Sequence, residues 1–244
     1  MTRLIVFVLF GSALIVQSDP RFHYQSDALY YASLNEAIQL GQYDGVVSAD
    51  ELKLHGNFGL GSEEKLASEL VLLDGVAYGI PADGHVRTIP GHARIAFAAT
   101  KFFSSEQHVV INKTLSMEQT QALLDSVLTR NAFAAIRIKG KFASIKYRSY
   151  EAQEQPYKPI SRVPEKLFTK TMQQGTIVGF YTPKAAQVLN SPVYHFHFIN
   201  TAKTTGGHVH DFILTHAEID IDYTTELTTK LANPILLQNI DLND

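Results

Sequence analysis

The sequence predicts an α/β chain of the mixed α+β type, in which mainly antiparallel sheets are accompanied by a few short helices. Hydrophobic residues make up 45% of the 244 positions, enough for a substantial core. Short apolar stretches alternate with turn residues, which is typical of strands. Helix-start signals are few and lie between these stretches. A polar, proline-bearing stretch after residue 150 divides the chain into two predicted domains, residues 19–155 and 156–244.

The first 18 residues predict a signal peptide. Arg3 provides a positive start, residues 4–16 are apolar apart from Gly11 and Ser12, and Ser18 ends a small-residue cleavage site. The run is shorter than the ~20 residues of a transmembrane helix, so we expect no stable membrane insertion after its removal. An exported protein, periplasmic or secreted, is therefore expected. A short buried helix or an uncleaved anchor is the alternative.

Composition argues against several classes of function. The formal net charge is -3 and no basic run occurs, so nucleic acid is not an expected partner. The chain has no cysteine, which removes disulfides, thiol chemistry and N-terminal lipidation. A structural zinc site, which cysteine usually closes, is not favoured either.

The first predicted domain combines helix caps with hairpins. Ser33, Ser48 and Ser116 each stand three residues before a glutamate or glutamine, a pattern that predicts a capped helix start. The helix that Ser116 opens has the clearest helical pattern of apolar residues. The helix that Ser33 opens is expected to end near Gly41. Asp74-Gly75 predicts a two-residue turn between strands. The predicted strands cover residues 69–73, 76–80, 94–103 and 109–111, followed by a second hairpin at 132–138 and 141–150.

The second predicted domain follows a linker at residues 151–175. Strands are predicted at 176–180, 193–198 and 208–223, with a short helix that Thr182 caps and Pro183 begins. In the last strand, apolar residues alternate with acidic ones, which predicts a buried face and a solvated face. The acidic residues predicted to be solvated are Glu218, Asp220 and Asp222.

Three histidines form the strongest chemical signal. His195 and His197 are two residues apart in a predicted strand, so both side chains project from one face. His208 follows Gly206 and Gly207, and a glycine turn there would bring it back to the same place. Three imidazoles with an open position are the ligand set of a catalytic zinc, which either polarises a carbonyl or activates water. The alternative is ordinary histidines on a half-exposed strand.

Two further side chains are candidates for catalysis. Glu69 shares a strand face with apolar residues, so its pKa should rise towards neutrality, which suits proton transfer; alternatively it lies exposed at a strand end. Arg148 carries a fork of donors that fits a carboxylate, although it can also be a surface residue and Arg137 is a rival. His210 is a possible fourth ligand, a group behind the ligands, or a bystander.

Six segments occur in a specific order, and together they resemble the α-acetolactate decarboxylase family. The segments are GNFGLG at 56–61, the strand from Glu69 with LDG at 73–75, PYKP at 156–159, GTIVGFYTP at 175–183, HFHF at 195–198 and GGHV at 206–209. The similarity spans about residues 24–223. The sequence departs from the family at residues 62–65, where SEEK replaces a sequence with Thr, Phe and Asn. It also departs at His210, where Leu is common. The family also uses a glutamate from a C-terminal tail, for which we find no match.

The resemblance implies two domains, with a larger N-terminal mixed sheet and a smaller C-terminal, mainly antiparallel sheet that carries the metal. It implies a homodimer and a small-molecule substrate, 2-acetolactate, decarboxylated to (R)-acetoin in a zinc-dependent reaction. His195, His197 and His208 would bind Zn2+, Glu69 would deliver the proton, and Arg148 would grip the substrate carboxylate. Two other functions stay open: another zinc-hydroxide lyase or hydrolase, and a non-catalytic exported metal-binding protein.

Overall fold

The computed structural model describes residues 5–9, 12–16, 27–238 and 240–242. It shows two sheets with few helices, together with a separate hairpin near the N-terminus. The predicted mixed α+β class is therefore confirmed. Within the described residues, no helix has both the length and the apolar composition that crossing a membrane requires.

The strands are numbered in chain order. They are β1 (Ile5–Leu9), β2 (Ser12–Val16), β3 (Ala28–Ala32), β4 (Val47–Ser48), β5 (Phe58–Glu63), β6 (Glu69–Leu73), β7 (Val76–Ile80), β8 (Arg87–Thr88), β9 (Arg94–Lys101), β10 (Gln107–Ile111), β11 (Leu115–Ser116), β12 (Phe133–Tyr150), β13 (Glu165–Thr182), β14 (Val193–Asn200), β15 (Gly206–Thr224) and β16 (Glu226–Lys230). The α-helices are α1 (Asn35–Gln39), α2 (Ala49–Lys53) and α3 (Met117–Val127). Short 3-10 helices cover Glu64–Leu66, Ile160–Arg162, Lys184–Ala186 and Pro234–Leu237.

The large sheet is mixed, as predicted. Its strand order is β16-β3-β9-β5-β6-β7-β8, and β4 pairs with β9. Strand β16 runs parallel to β3, whereas the other neighbours are antiparallel. Strand β16, at residues 226–230, therefore pairs with β3, at residues 28–32, so a late segment of the chain completes the large sheet.

The small sheet is antiparallel and carries the three histidines. Its order is β10-β15-β12-β13-β14, with β11 also paired to β15, and β14 returns to pair with β15. Strands β10, β11 and β12 precede residue 156, so the sheet is not formed by the second predicted domain alone. The predicted boundary falls in the connection between β12 and β13, two strands that pair along most of their length. The division into two domains stays a prediction.

The two sheets share a hydrophobic core. Phe58 and Val71 of the large sheet belong to the same buried cluster as Val178 and Phe180 of the small sheet. The opposite face of the small sheet packs separately, with Leu124 of α3. Burial of apolar surface between the sheets holds their facing residues at fixed positions.

Two predictions about strands and their connections were wrong. One placed a turn at a glycine that lies inside a strand, and the other assigned part of a strand to a linker. The predicted hairpin at 132–150 is the single strand β12. Gly140 lies inside it, and a Cβ there would meet the His216 carbonyl oxygen at 2.4 Å. This glycine therefore permits close strand approach rather than a turn. The predicted linker at 151–175 ends earlier, since β13 begins at Glu165.

The predicted helix caps had different outcomes. Ser48 accepts a hydrogen bond from the Glu51 amide, and Ser116 forms a complete capping box with Gln119. Both predictions are confirmed. Ser33 does not cap α1, because its φ is 67° and the N-cap position is Leu34. Pro183 rather than Thr182 occupies the N-cap of the short helix that follows β13.

The predicted signal peptide is not tested by the structure. Two of its segments, residues 5–9 and 12–16, are described as paired strands. The remaining residues of the segment, including the predicted cleavage site at Ser18, lie outside the described residues. The signal peptide stays a prediction.

The predicted solvated acidic face is wrong at Asp222. This residue is buried, and its Oδ1 lies 2.8 Å from Nζ of Lys101, a buried lysine on β9 of the large sheet. Lys101 also donates to the Tyr223 carbonyl at 2.6 Å, and the Ser104 amide donates to Asp222 Oδ2 at 2.8 Å. Burial raises the pKa of Asp222 to about 6, opposed by Lys101. The pair joins the two sheets.

Replacing Lys101 with Ala should strongly destabilise the protein. The change leaves the Asp222 carboxylate buried without its cation, so we expect the free energy of unfolding at pH 7 to fall by about 3–5 kcal/mol. Urea denaturation followed by circular dichroism measures it. Lys53→Ala is the control, because Lys53 pairs with Asp50 at the surface. Its effect should stay below about 1 kcal/mol. Similar losses for both variants would contradict a special role of the buried pair.

Candidate metal centre

Strand register brings the three histidines together. His197 on β14 lies opposite His208 on β15. His195 precedes His197 by two residues, so it projects from the same face, while Phe196 and Phe198 pack into the core on the other face. The ligand nitrogens of the three rings all lie within 4.8 Å of one another. The predicted convergence is confirmed, and the ligand roles stay a prediction.

The two glycines before His208 permit close approach of three strands. A Cβ on Gly206 would meet the Phe198 carbonyl oxygen at 2.2 Å, and one on Gly207 would meet the Arg148 carbonyl oxygen at 2.5 Å. Gly207 also has a φ of 147°, a backbone conformation that residues other than glycine rarely adopt. The turn itself lies earlier, between Asn200 and Gly206. The glycines therefore position His208 by close packing rather than by forming the turn.

Hydrogen bonds fix which nitrogens face the centre. His195 Nδ1 donates to Asn190 Oδ1 at 2.7 Å, and His197 Nδ1 donates to the Leu70 carbonyl at 2.8 Å. The Ser191 amide also donates to Asn190 Oδ1, which defines that atom as the acceptor. A neutral imidazole that donates through Nδ1 carries its lone pair on Nε2. Both Nε2 atoms are therefore free to bind an ion.

The donor set fits a divalent metal ion that prefers nitrogen. His208 Nδ1 lies 3.2 Å from Nε2 of His195 and 3.2 Å from Nε2 of His197. Tetrahedral zinc with Zn–N distances of about 2.0–2.1 Å separates its ligands by roughly 3.3 Å. Burial lowers the pKa of His195 to about 3 and holds the pKa values of His197 and His208 well below their usual range. Neutral rings are the form that binds metal.

Glu69 lies beside this centre at the start of β6. Its Oε2 is 3.5 Å from His197 Nε2, and its Oε1 accepts a hydrogen bond from Arg148 Nη1. Burial raises the pKa of Glu69 to about 7, although Arg148 opposes the rise. The alternative of an exposed strand end is therefore wrong. A carboxyl with such a pKa is suited to proton transfer near neutrality.

Arg148 lies beside Glu69 and the histidines, whereas Arg137, the other candidate arginine, does not. It lies on β12 opposite His208, and its guanidinium carbon is 4.3 Å from the centre of the Tyr150 ring. Arg137 instead donates to Asp220 through Nε and Nη2, at 3.1 and 2.8 Å. Arg148 is thus the arginine available to a ligand beside the histidines.

His210 lies behind the histidine centre. Its Nε2 is 3.3 Å from Glu165 Oε2, and its ring centroid is 6.0 Å from that of His208. It is not part of the group of nitrogens that can hold an ion. Of the three roles considered for His210, that of a group behind the ligands fits best.

Sequence reasoning missed three side chains. Asn190 orients His195, Glu165 contacts Arg148, and Ser62 lies opposite Glu69 in the β5–β6 pairing. The Ser62 hydroxyl is buried and has no hydrogen-bond partner among the described residues. Of these three, only Ser62 could have been selected from the sequence, because it directly follows the glycine-rich segment at 56–61. The other two are placed by tertiary contacts that no local pattern reveals.

A pocket opens onto these groups between the two sheets. It is small and partly open to solvent. Four of its lining residues are apolar: Ile38, Leu66, Phe97 and Ile160. The remaining lining residues are Asn35, Gln39, Gly61, Ser62, Glu69, Arg148, Tyr150, Ser191, His195, His197 and His208.

Comparisons with known proteins agree with one another. A family model described as alpha-acetolactate decarboxylase matches residues 29–243. The alpha-acetolactate decarboxylase of Methanosarcina mazei is 34% identical over 203 residues, covering 82% of this chain and 70% of that protein. The Bacillus subtilis enzyme is 32% identical over 219 residues, covering 88% and 86%. A crystal structure of the enzyme from Bacillus subtilis strain 168 matches with a TM-score of 0.86 at 32% identity, covering 89% of this chain and 94% of that one.

Replacing Asn190 with Ala should weaken metal binding. The change removes the acceptor that orients His195, so we expect the apparent affinity for Zn2+ to fall about 10- to 100-fold. Competition with a chromogenic chelator measures this affinity. Asn112→Ala is the matched control, because Asn112 accepts from His216 Nδ1 at 2.8 Å at an exposed position. An Asn190→Ala affinity equal to that of the control would contradict the orienting role.

Proposed function

This chain belongs to the α-acetolactate decarboxylase family, a family of carboxy-lyases, and we propose that it converts 2-acetolactate to (R)-acetoin in a zinc-dependent reaction. The observation that carries the proposal is the placement of three neutral histidines, an arginine and a buried carboxyl in one pocket. Three imidazoles with an open position are typical of catalytic zinc. A zinc ion held there would supply a Lewis acid for the ketone of the substrate.

The substrate offers a carboxylate that Arg148 can bind. Guanidinium groups bind carboxylates through charge-assisted hydrogen bonds, which are strong in a site with little water. Arg148 is only 11% exposed, and the Tyr150 ring covers one side of it. The arginine therefore orients the carboxylate that is to leave. Ser62, whose buried hydroxyl lacks a partner among the described residues, lines the same pocket.

Glu69 supplies the proton that replaces carbon dioxide. The bond between the carboxylate carbon and the adjacent carbon breaks, its electron pair moves towards the ketone oxygen, and carbon dioxide leaves. The resulting enediolate needs a proton on carbon. Burial raises the pKa of Glu69 to about 7, which favours the protonated form that delivers this proton. Delivery from one fixed side gives acetoin of a single handedness, and Glu69 then regains a proton from solvent.

Apolar walls favour a short substrate. Ile38, Leu66, Phe97 and Ile160 line the pocket together with the polar groups. Such walls accept the two methyl groups of acetolactate and limit the water that reaches the enediolate. They also strengthen the contacts of Arg148 and Glu69, because charges interact more strongly where the local dielectric is low.

Two wider features belong to the same proposal. The apolar run at residues 4–16 supports export of the protein to the periplasm or the medium. The resemblance to the family supports a homodimer. N-terminal sequencing of protein recovered outside the cytoplasm would test the first feature: residue 19 is expected at the new N-terminus, and an intact Met1 would contradict it.

Purified protein should release carbon dioxide from 2-acetolactate and form acetoin of one handedness. Chelation of the metal should abolish turnover, and added Zn2+ should restore it, because three neutral ligands bind the ion reversibly. Chiral gas chromatography of acetoin with and without the chelator makes the measurement. Ester hydrolysis and carbon dioxide hydration are assayed in parallel. Activity in either of these assays without acetolactate consumption would favour a zinc-hydroxide enzyme and contradict the proposal.

Replacing Glu69 with Gln should leave bound zinc unchanged and lower turnover by about 10²–10⁴-fold, since the variant has no proton to give. Acetoin that still forms should lose its single handedness. Turnover and chiral analysis are measured together with metal content. Glu63→Gln is the control, a buried carboxyl of β5 that contacts Arg87 and does not line the pocket. Unchanged turnover in Glu69→Gln would remove Glu69 from its role.

A further inference from the structure

Arg148 is held by two carboxylates rather than one. Glu69 accepts from Nη1 on one side. On another side, Glu165 Oε1 lies 2.9 Å from Nε. The two carboxylates come from different sheets, Glu69 from β6 and Glu165 from the first residue of β13. They therefore contact different nitrogens of one planar group.

Glu165 is itself held in place. Its second oxygen, Oε2, lies 3.3 Å from His210 Nε2. The Tyr150 hydroxyl approaches Oε1 at 3.5 Å, and the ring of the same tyrosine covers the Arg148 guanidinium. Glu165 is one-third exposed and has these two contacts besides the one with Arg148. His210 and Tyr150 lie on β15 and β12, so three strands of the small sheet converge on this point.

These contacts define the orientation of the guanidinium. A planar group that has contacts at Nε, at Nη1 and on one face is restricted in its rotation. The structure shows no hydrogen bond from Nη2 to any described residue. The arginine is thus pre-organised before a ligand arrives, which lowers the entropy lost on binding.

We propose that Glu165, held by His210, is a positioning residue that fixes Arg148 for the carboxylate of the substrate. The inference rests on the proposed function, which supplies the carboxylate. Glu165 does not line the pocket among the described residues, so it acts through Arg148 and not on the substrate itself. Its neighbour Lys166 pairs with Glu151 at 3.3 Å, both well exposed, and has no contact with Arg148.

The test separates carboxylate binding from other effects of the mutation. Glu165→Ala should raise KM for acetolactate about 10-fold, because a guanidinium without this partner loses more freedom when it binds the substrate carboxylate, with a smaller effect on kcat. Inhibition by 2-hydroxy-2-methylpropanoate, which carries a carboxylate, should weaken by a similar factor. Inhibition by 2,3-butanediol, which carries none, should not change. Glu165→Gln keeps an oxygen near Nε and should recover most of the affinity.

Two further variants guard against a purely structural explanation. In an Arg148→Lys background, Glu165→Ala should add little, because the group that it positions is already gone. His210→Leu keeps Glu165 and should weaken carboxylate binding a few-fold with bound metal unchanged, and it stands in if Glu165→Ala does not fold. Lys166→Ala is the matched control and should behave as wild type.

The possible outcomes are distinct. Wild-type KM and inhibition in Glu165→Ala would overturn the inference. Equal weakening of the carboxylate and the diol would also overturn it, since that result indicates general disruption of the pocket. Failure of the proposed function looks different: wild-type protein would release no carbon dioxide from acetolactate. The comparison of carboxylate with diol would still report on Arg148 in that case.

Discussion

The pairing of β14 with β15 is the contact on which the site depends. It spans only three residue pairs, from His197 opposite His208 to Ile199 opposite Gly206. Without it, the small sheet would be open and His208 would lie away from the other two rings. Because side chains alternate along a strand, a shift of one residue would turn His208 to the other face. The metal centre is therefore a consequence of register, and Gly206 and Gly207 make that register possible.

The site is also a product of the two sheets facing each other. The large sheet contributes Glu69 and Ser62, whereas the small sheet contributes the histidines and Arg148. The Leu70 carbonyl of the large sheet orients His197 of the small sheet, so even one ligand depends on both. The shared core and the pair of Lys101 with Asp222 hold this arrangement. Burial between the sheets then keeps the rings neutral and raises the pKa of Glu69.

Local patterns predicted the elements that short-range rules determine. The hairpin at Asp74-Gly75, the caps at Ser48 and Ser116, and the histidine strand follow from turn chemistry, capping and alternation, and each was confirmed. The turn predicted at Lys139-Gly140 was wrong because glycine permits both turns and close packing of strands. Only the neighbouring strand determines which of the two occurs.

The parts of the site that the sequence did not reveal depend on side-chain contacts that no local pattern describes. Asp222 looked solvated because alternation describes one sheet, whereas Lys101 reaches it from the other. Glu165 has no local signature, since its partner Arg148 lies on another strand, 17 residues earlier. Asn190 lies only five residues before His195, but the connection that contains it has no pattern from which the contact with the ring can be predicted. The histidine motif could be found by spacing, but the groups that orient it required the fold.

Anomalous X-ray diffraction at the zinc absorption edge, on crystals grown with Zn2+, shows directly whether the three histidines hold one ion. We expect one strong peak bound to Nε2 of His195, Nε2 of His197 and Nδ1 of His208, with room for a small ligand on the side facing Arg148. A peak at other residues, or three rings without bound metal at saturating Zn2+, would contradict it.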